Sequence, residues 1–273
     1  MWFVSADDGD RVVSRISDWL AGGGCVLLMT DYDGTLTPIV GDPGEAWLPD
    51  GVRRDLQALA QSAQCRVALI SGRDLEDLRA RAPLAATIYA GCHGLEIAGP
   101  DFSFCHPEAE ARRPMLEAVS RDLRARAPGI EGTRVEPKRL AVAVHYRHVP
   151  AAVRPELGEA IAGVVQRAGG GLSIVHGMKV VEILPEVGWD KGACAMWIHD
   201  WARRRLSAPL LTVYLGDDRT DEQAFEALAG LGVTVRVGAR RQGSLATYQF
   251  DDVARVHQLL AAMASIVGPW RSP

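Results

Sequence analysis

Short continuous apolar runs alternate along this chain with stretches of helical period. Cys25-Val26-Leu27-Leu28-Met29 is apolar at every position and of strand length, the pattern of a strand buried on both faces of a parallel sheet. It ends at Asp31, and Val52, Leu56, Leu59 and Ala63 then recur at helical spacing. Val67-Ala68-Leu69-Ile70 predicts a second buried strand ending at Ser71. A short helix starts near Asp74, and a third strand runs through Thr87–Ala90. Upstream, Val12, Val13, Ile16, Trp19 and Leu20 predict a helix closed by Gly22-Gly23-Gly24. Strands alternating with helices imply right-handed βαβ units in an α/β fold, a doubly wound Rossmann-like parallel sheet.

The middle of the chain breaks this alternation. Leu116, Val119 and Leu123 mark a helix ending around Pro128-Gly129. Arg139–Arg147 and Leu172–Leu184 then predict two strand pairs, separated by a helix bearing Leu157, Ile161, Val164 and Val165. The alternation resumes with a helix at Lys191–Arg205, a strand at Leu210–Leu215, a helix at Asp221–Leu228 and a strand at Val233–Val237. A helix carrying Val253, Val256, Leu259, Leu260 and Met263 follows. The expected organisation is a core from residues 1–100 and 187–273, with an α+β insert over 101–186.

Composition narrows the function classes. At 273 residues, 48% hydrophobic and 23% charged, the chain is ordinary for a globular protein of one to two domains. Thirty basic against 34 acidic residues leave no electrostatic footprint for nucleic acid. No run of 18 apolar residues appears, so no spanning helix and no membrane partner are expected. The five cysteines (Cys25, Cys65, Cys92, Cys105, Cys194) are scattered and form no C-x-x-C pair, which argues against a zinc site or disulfide framework. A reducing cytoplasm, and a monomer or weak homodimer, are the expectations.

Ligands of open α/β sheets bind at the carboxyl ends of the strands, and the unusual polar clusters of this chain fall there. Asp31-Tyr32-Asp33-Gly34-Thr35 follows the first strand and Ser71-Gly72-Arg73 the second. Lys191-Gly192 opens a core helix, and Gly216-Asp217-Asp218-Arg219-Thr220-Asp221-Glu222 follows a later strand. Carboxylates leaving two buried strands, with no His or Cys cluster, favour a hard, oxygen-loving cation such as Mg²⁺. Asp31 is the candidate nucleophile towards phosphorus, and Asp33 the candidate proton donor and acceptor. Ser71 and Lys191 would hold the phosphoryl oxygens. Each piece alone has a plainer reading: a solvated loop acid, a turn, a surface lysine, a helix N-terminus. Their agreement in position and order favours catalysis.

Asp31-Tyr32-Asp33-Gly34-Thr35, Ser71, Lys191 and Gly216–Asp221 together resemble the four motifs of the haloacid-dehalogenase-like (HAD) phosphatases. Ile70-Ser71-Gly72-Arg73, Gly91-Cys92-His93-Gly94-Leu95-Glu96, His145-Tyr146-Arg147, Val180-Val181-Glu182 and Asp221-Glu222 are more narrowly similar to the trehalose-6-phosphate phosphatase family. The resemblance implies a HAD core with a mobile C2-type cap. It also implies Mg²⁺ held by Asp31, the backbone carbonyl of Asp33 and Asp217, with Asp221 nearby. The implied substrate is a small sugar phosphate, trehalose 6-phosphate first. Its expected contacts are Gly72, Arg73, His93 and Asp218 in the core and Glu136, Lys138, Arg147, Lys179 and Glu182 in the cap. His93 has a second reading, shaping the hinge together with Glu96.

Two positions depart from the family pattern. Gly177 is followed by Met178, with Lys179 one residue later than usual, and Asp190 stands where Asn is usual. In a continuous strand, Met178 and Glu182 would share a face and Lys179 would point away, unless a bulge intervened. This shift keeps open the same chemistry on a related phosphorylated disaccharide, a validoxylamine-type pseudo-disaccharide, or glucosylglycerol phosphate. A D-x-D glycosyltransferase is disfavoured by the late acidic cluster, and a non-enzymatic sensor by the intact catalytic set. Trp197 and Trp201, at i and i+4, are expected to pack; Trp47 and Trp189 are candidates for the rim of the site.

Overall fold

The structure is a computed structural model that describes residues 7–126 and 129–267. The helix end expected at Pro128 lies outside the described residues. In chain order, helix α1 (Asp8–Ala21) leads into β1 (Cys25–Thr30), α2 (Asp50–Gln61), β2 (Cys65–Ile70), α3 (Leu75–Arg81), β3 (Ile88–Gly91), β4 (Glu96–Ala98) and β5 (Ser103–Cys105). Next come α4 (Pro107–Ala111), α5 (Arg113–Arg126), β6 (Arg134–Pro137), β7 (Val142–His145), α6 (Arg154–Arg167), β8 (Leu172–Gly177) and β9 (Val180–Pro185). The last elements are α7 (Lys191–Arg203), β10 (Leu210–Gly216), α8 (Asp221–Ala227), β11 (Gly232–Val237), β12 (Tyr248–Phe250) and α9 (Val253–Val267). The chain divides into two compact units, residues 1–103 with 190–273, and residues 104–189.

In the first unit the strand order is β12-β11-β10-β1-β2-β3-β4, parallel from β12 through β3, with β4 antiparallel to β3. All six residues of β1 are buried, as its unbroken apolar run requires. On one face Val26 and Leu28 join Val12 and Ile16 of α1, Leu56 of α2 and Leu260 of α9 in one core; α7 packs on β1 as well. Burying each such side chain is worth about 1.5–3 kcal/mol. From β1 the chain steps outward through β2 and β3, and it returns on the other side through β10, β11 and β12. The strand order therefore reverses between β1 and β10, the switch point at which such sheets open a crevice.

The second unit is a four-stranded antiparallel sheet, order β6-β7-β9-β8, with α5 and α6 on one face. Leu116, Val119 and Leu123 of α5 and Leu157, Ile161 and Val164 of α6 pack there on Val142, Val144, Val181 and Ile183. Strand alternation turns Glu136, Ala143 and Glu182, which are directly cross-strand neighbours, to the opposite face.

Two local expectations change. The first strand pair begins at Arg134 instead of Arg139, and residues 138–141 form its turn, closed by the Lys138 N–H donating to Ala141 O at 2.9 Å. Met178 and Lys179 are the two turn residues between β8 and β9, with Lys179 at φ +64°, so the in-strand alternation assumed for them does not apply. The three-residue strands β4, β5 and β12 are too short to register as periodicity. Among the described residues, no helix is long and apolar enough to cross a membrane.

Candidate active site

Parallel pairing of β1 with β10 places the two acidic loops side by side: the Asp31 N–H donates to Leu215 O at 2.9 Å, immediately before Gly216-Asp217. Asp31 is only 4% exposed. Its Oδ1 accepts from Lys191 Nζ at 2.7 Å, whereas its Oδ2 is buried with no hydrogen-bond partner. Lys191, the first residue of α7, also donates to Asp221 Oδ1 at 2.8 Å. Asp221 is more heavily committed. Its Oδ1 also accepts from the Tyr214 hydroxyl at 2.9 Å, and its Oδ2 accepts from the N–H groups of Asp217 and Asp218 at 3.0 and 3.1 Å.

Three carboxylates thus crowd around one ammonium. Burial lifts Asp31 well above the usual carboxylate range, and the Asp221 and Asp217 charges add to this against the opposing pull of Lys191. Burial, with Asp221 and Asp218 beside it, pushes Asp217 up to about 7. Burial works against the Lys191 ammonium, but the Asp221 and Asp31 charges outweigh it and hold the amine protonated. One carboxylate oxygen from each of Asp31, Asp217 and Asp221 lies within 4.8 Å of the others. An all-oxygen donor set, an excess of negative charge and the orphaned Asp31 Oδ2 are what a hard divalent cation would satisfy. Gly34, at φ +91°, shapes this corner, because a Cβ there would collide with the Asp217 carboxylate.

Ser71, 1% exposed, follows β2, and its hydroxyl accepts from the Arg73 N–H at 3.2 Å. The Ser71 carbonyl accepts from the His93 N–H at 2.9 Å, which draws the left-handed pair Cys92 and His93 against the second strand end. Asp218 caps its own loop through Thr220, whose N–H and hydroxyl both donate to Oδ1 at 2.7 Å. Burial raises the Asp218 carboxyl, but Lys191 and the Thr220 bonds outweigh it, so that it stays below the ordinary value; the nearby His93 charge acts in the same direction. Asp33 pairs with Arg73, not with Lys191. Both of its carboxylate oxygens accept from Arg73, each at 2.6 Å.

In the second unit the face opposite the helices carries a polar row. Lys138 Nζ donates to Glu182 Oε1 at 2.5 Å with both side chains buried, and Glu136 Oε2 lies 2.7 Å from His145 Nε2. The His145 bond holds Glu136 below its usual range despite burial. Arg147 follows β7 with no ion-pair partner among the described residues. The Tyr146 N–H donates to Lys179 O at 3.0 Å, setting the β8–β9 turn beside that segment.

The trehalose-phosphatase family profile matches residues 29–255. The trehalose-phosphate phosphatase of Mycobacterium marinum is 41% identical over 271 residues, spanning 94% of this chain and 68% of that protein. That of Mycobacterium tuberculosis H37Rv is 38% identical over 274 residues, 96% of this chain and 69% of that protein. The chain belongs to the trehalose-phosphatase family. It is therefore a phosphoric monoester hydrolase. The C-terminal domain of Candida albicans trehalose-6-phosphate phosphatase superposes with a TM-score of 0.76 at 21% identity, covering 93% of this chain and 96% of that one, and so shares the capped HAD fold.

Against that family, the core unit brings together Asp31, Lys191, Asp217, Asp218 and Asp221 at one switch point. Glu136, Lys138 and Glu182 gather on one face of the other unit. Sequence reasoning did not single out Tyr214, which lies within an apolar strand, or Asp77 and Arg81, which lie on the short helix α3. The expectation for the tryptophans divides: Trp197 and Trp201 pack on Phe102 at 5.6 and 4.6 Å, Trp189 stacks on Phe104 at 5.3 Å, and Trp47 is 60% exposed beneath Arg81.

Proposed function

We propose that the protein hydrolyses trehalose 6-phosphate to trehalose and phosphate through an aspartyl-phosphate on Asp31. The observation that carries this reading is the Asp31–Lys191 contact at the β1–β10 switch point, within a chain 41% identical to a trehalose-phosphate phosphatase. The Asp31 carboxylate attacks phosphorus, and the bond from phosphorus to the sugar oxygen breaks as Asp33 supplies the proton the departing alkoxide needs. Water then attacks the acyl phosphate, Asp33 takes its proton, and phosphate leaves with Asp31 regenerated. Ser71 and Lys191 hold the phosphoryl oxygens as charge shifts during both steps. Asp31, the Asp33 carbonyl and Asp217 would hold Mg²⁺, with Asp221 as their support. Such an ion, when bound, keeps Asp31 ionised and offsets its repulsion from the phosphate dianion.

Glu136, Lys138, Arg147 and Glu182 would take the sugar hydroxyls, with Lys179 at the turn beside them. Five free cysteines, four of them buried, are in keeping with work in a reducing cytoplasm. The test is phosphate release, with Mg²⁺ and with EDTA, from trehalose 6-phosphate, glucose 6-phosphate, sucrose 6-phosphate, glucosylglycerol phosphate, a validoxylamine-type phosphate and an aryl phosphate. A metal-dependent preference for trehalose 6-phosphate is expected. Good aryl phosphate turnover with poor trehalose 6-phosphate turnover would keep the chemistry and move the substrate. The exposed Met178-Lys179 turn would then be the first place to look.

A further inference from the structure

We infer that Arg73 is the positioning residue of Asp33, holding it where the leaving sugar oxygen must receive its proton, and that it is not a ligand of the sugar phosphate. This rests on the proposed role of Asp33 as proton donor. A guanidinium carries five N–H donors in a rigid fork, and four of those in Arg73 are committed within the core unit. Nε and Nη2 grip the two oxygens of Asp33 at 2.6 Å each, Nη2 also donates to Pro43 O at 2.9 Å, and Nη1 donates to Asp77 Oδ2 at 2.7 Å. The side chain is 9% exposed, against 38% for Asp33, so the acid presents its open side while the arginine stays behind it.

The grip is itself anchored. Arg81 Nε donates to both oxygens of Asp77 at 2.9 Å, and its Nη1 donates to Gly44 O at 2.9 Å. The Tyr32 ring lies 5.3 Å from the Arg73 guanidinium, and the Tyr32 hydroxyl donates to Ala46 O at 2.9 Å. Asp33 is thereby tied to α3 and to the segment around Pro43–Ala46. A bidentate fork fixes a carboxylate in both position and plane, which a single ammonium cannot do.

The discriminating readout is leaving-group dependence. A sugar alkoxide needs the proton, whereas dinitrophenolate departs without it. R73Q should lower kcat for trehalose 6-phosphate about a hundredfold, the scale of general-acid catalysis, with KM within about twofold. Release of dinitrophenolate in a single turnover, which precedes the Asp33-assisted hydrolysis of the acyl phosphate, should fall less than about fivefold. R73K, which keeps the charge and loses the fork, should show the same split in milder form; it also carries the test if R73Q does not fold, as judged by its melting curve. D33N combined with R73Q should be no slower on trehalose 6-phosphate than D33N alone. Equal losses in single-turnover release of the two leaving groups, a rise in KM confined to the sugar phosphate, or additive losses in the double variant would overturn the inference. If D33N itself hydrolysed trehalose 6-phosphate normally, both the acid role and its positioning would fall. If D33N showed the split and the Arg73 variants did not, only the present inference would fail.

Discussion

Lys191 holds two buried carboxylates 2.7 and 2.8 Å from its ammonium, while a third, Asp217, lies alongside with no ion pair among the described residues. Such a cluster costs the fold stability, because burial opposes every charge in it. Two substitutions should therefore separate stability from activity. Asp31→Asn removes one of the crowded charges: turnover should fall at least about a thousandfold, with the metal-free melting temperature unchanged or raised. Lys191→Met leaves Asp31 and Asp221 buried without their shared cation and should cost about 3–5 kcal/mol of stability in EDTA. Denaturant unfolding of the two variants checks this, and a destabilised Asp31→Asn would show the cluster to be better satisfied than its geometry implies. Asp31 and Asp217 were legible in the sequence because each follows a buried strand, and Lys191 because it opens a core helix. Arg73 was legible as a residue, but its pairing with Asp33 was not. Its partner Asp33 lies 40 positions away, and no spacing rule connects an arginine to a carboxylate across two strand ends.

At the scale of elements, α3 is short, and its footing comes from charge. Asp74 caps it by accepting from the Glu76 N–H at 3.1 Å, and Asp77 sits between Arg73 and Arg81. Burial alone would raise the Asp77 carboxyl, but hydrogen bonds from Arg81 and Arg73 outweigh it and hold it below its ordinary 3.8. A carboxylate depressed on folding lends stability that is fully present above its unfolded value and is lost as pH falls through the folded one. Asp77→Asn should thus lower the melting temperature at pH 7, and the gap from the parent should close as pH drops below about 3.8. A gap that persists undiminished in acid would mean that Asp77 acts through packing. The long buried strands β1, β2 and β10 were plain from their apolar runs. The β8–β9 turn was not, because Lys179 adopts a left-handed backbone normally reserved for Gly or Asn, and a Met-Lys pair carries no turn signal.

The molecule as a whole is two cores on one chain. The second has its own apolar cluster, from Leu116 through Ile183, built wholly from residues between 104 and 189. A segment that buries its own core should fold by itself. Residues 104–189 expressed alone should give a cooperative thermal transition in circular dichroism, and a featureless melt would show that this core needs the other. The change of pattern that marks the insert was readable from its loss of alternation. The pairing order β6-β7-β9-β8 was not, since periodicity says which face is buried and nothing about which strand lies beside which.

One contact gives this arrangement a further meaning. Phe104 and Trp189, at the two ends of the second unit, stack with ring centroids 5.3 Å apart, and His106 meets the same indole edge-on at 5.3 Å. The chain therefore departs from and returns to nearly one point. Closing a loop costs entropy that grows only with the logarithm of its length, so the parallel sheet is almost indifferent to how much polypeptide is threaded between those rings. Selection can then lengthen, trim or exchange that excursion, while the acidic cluster at the β1–β10 switch point stays where it is.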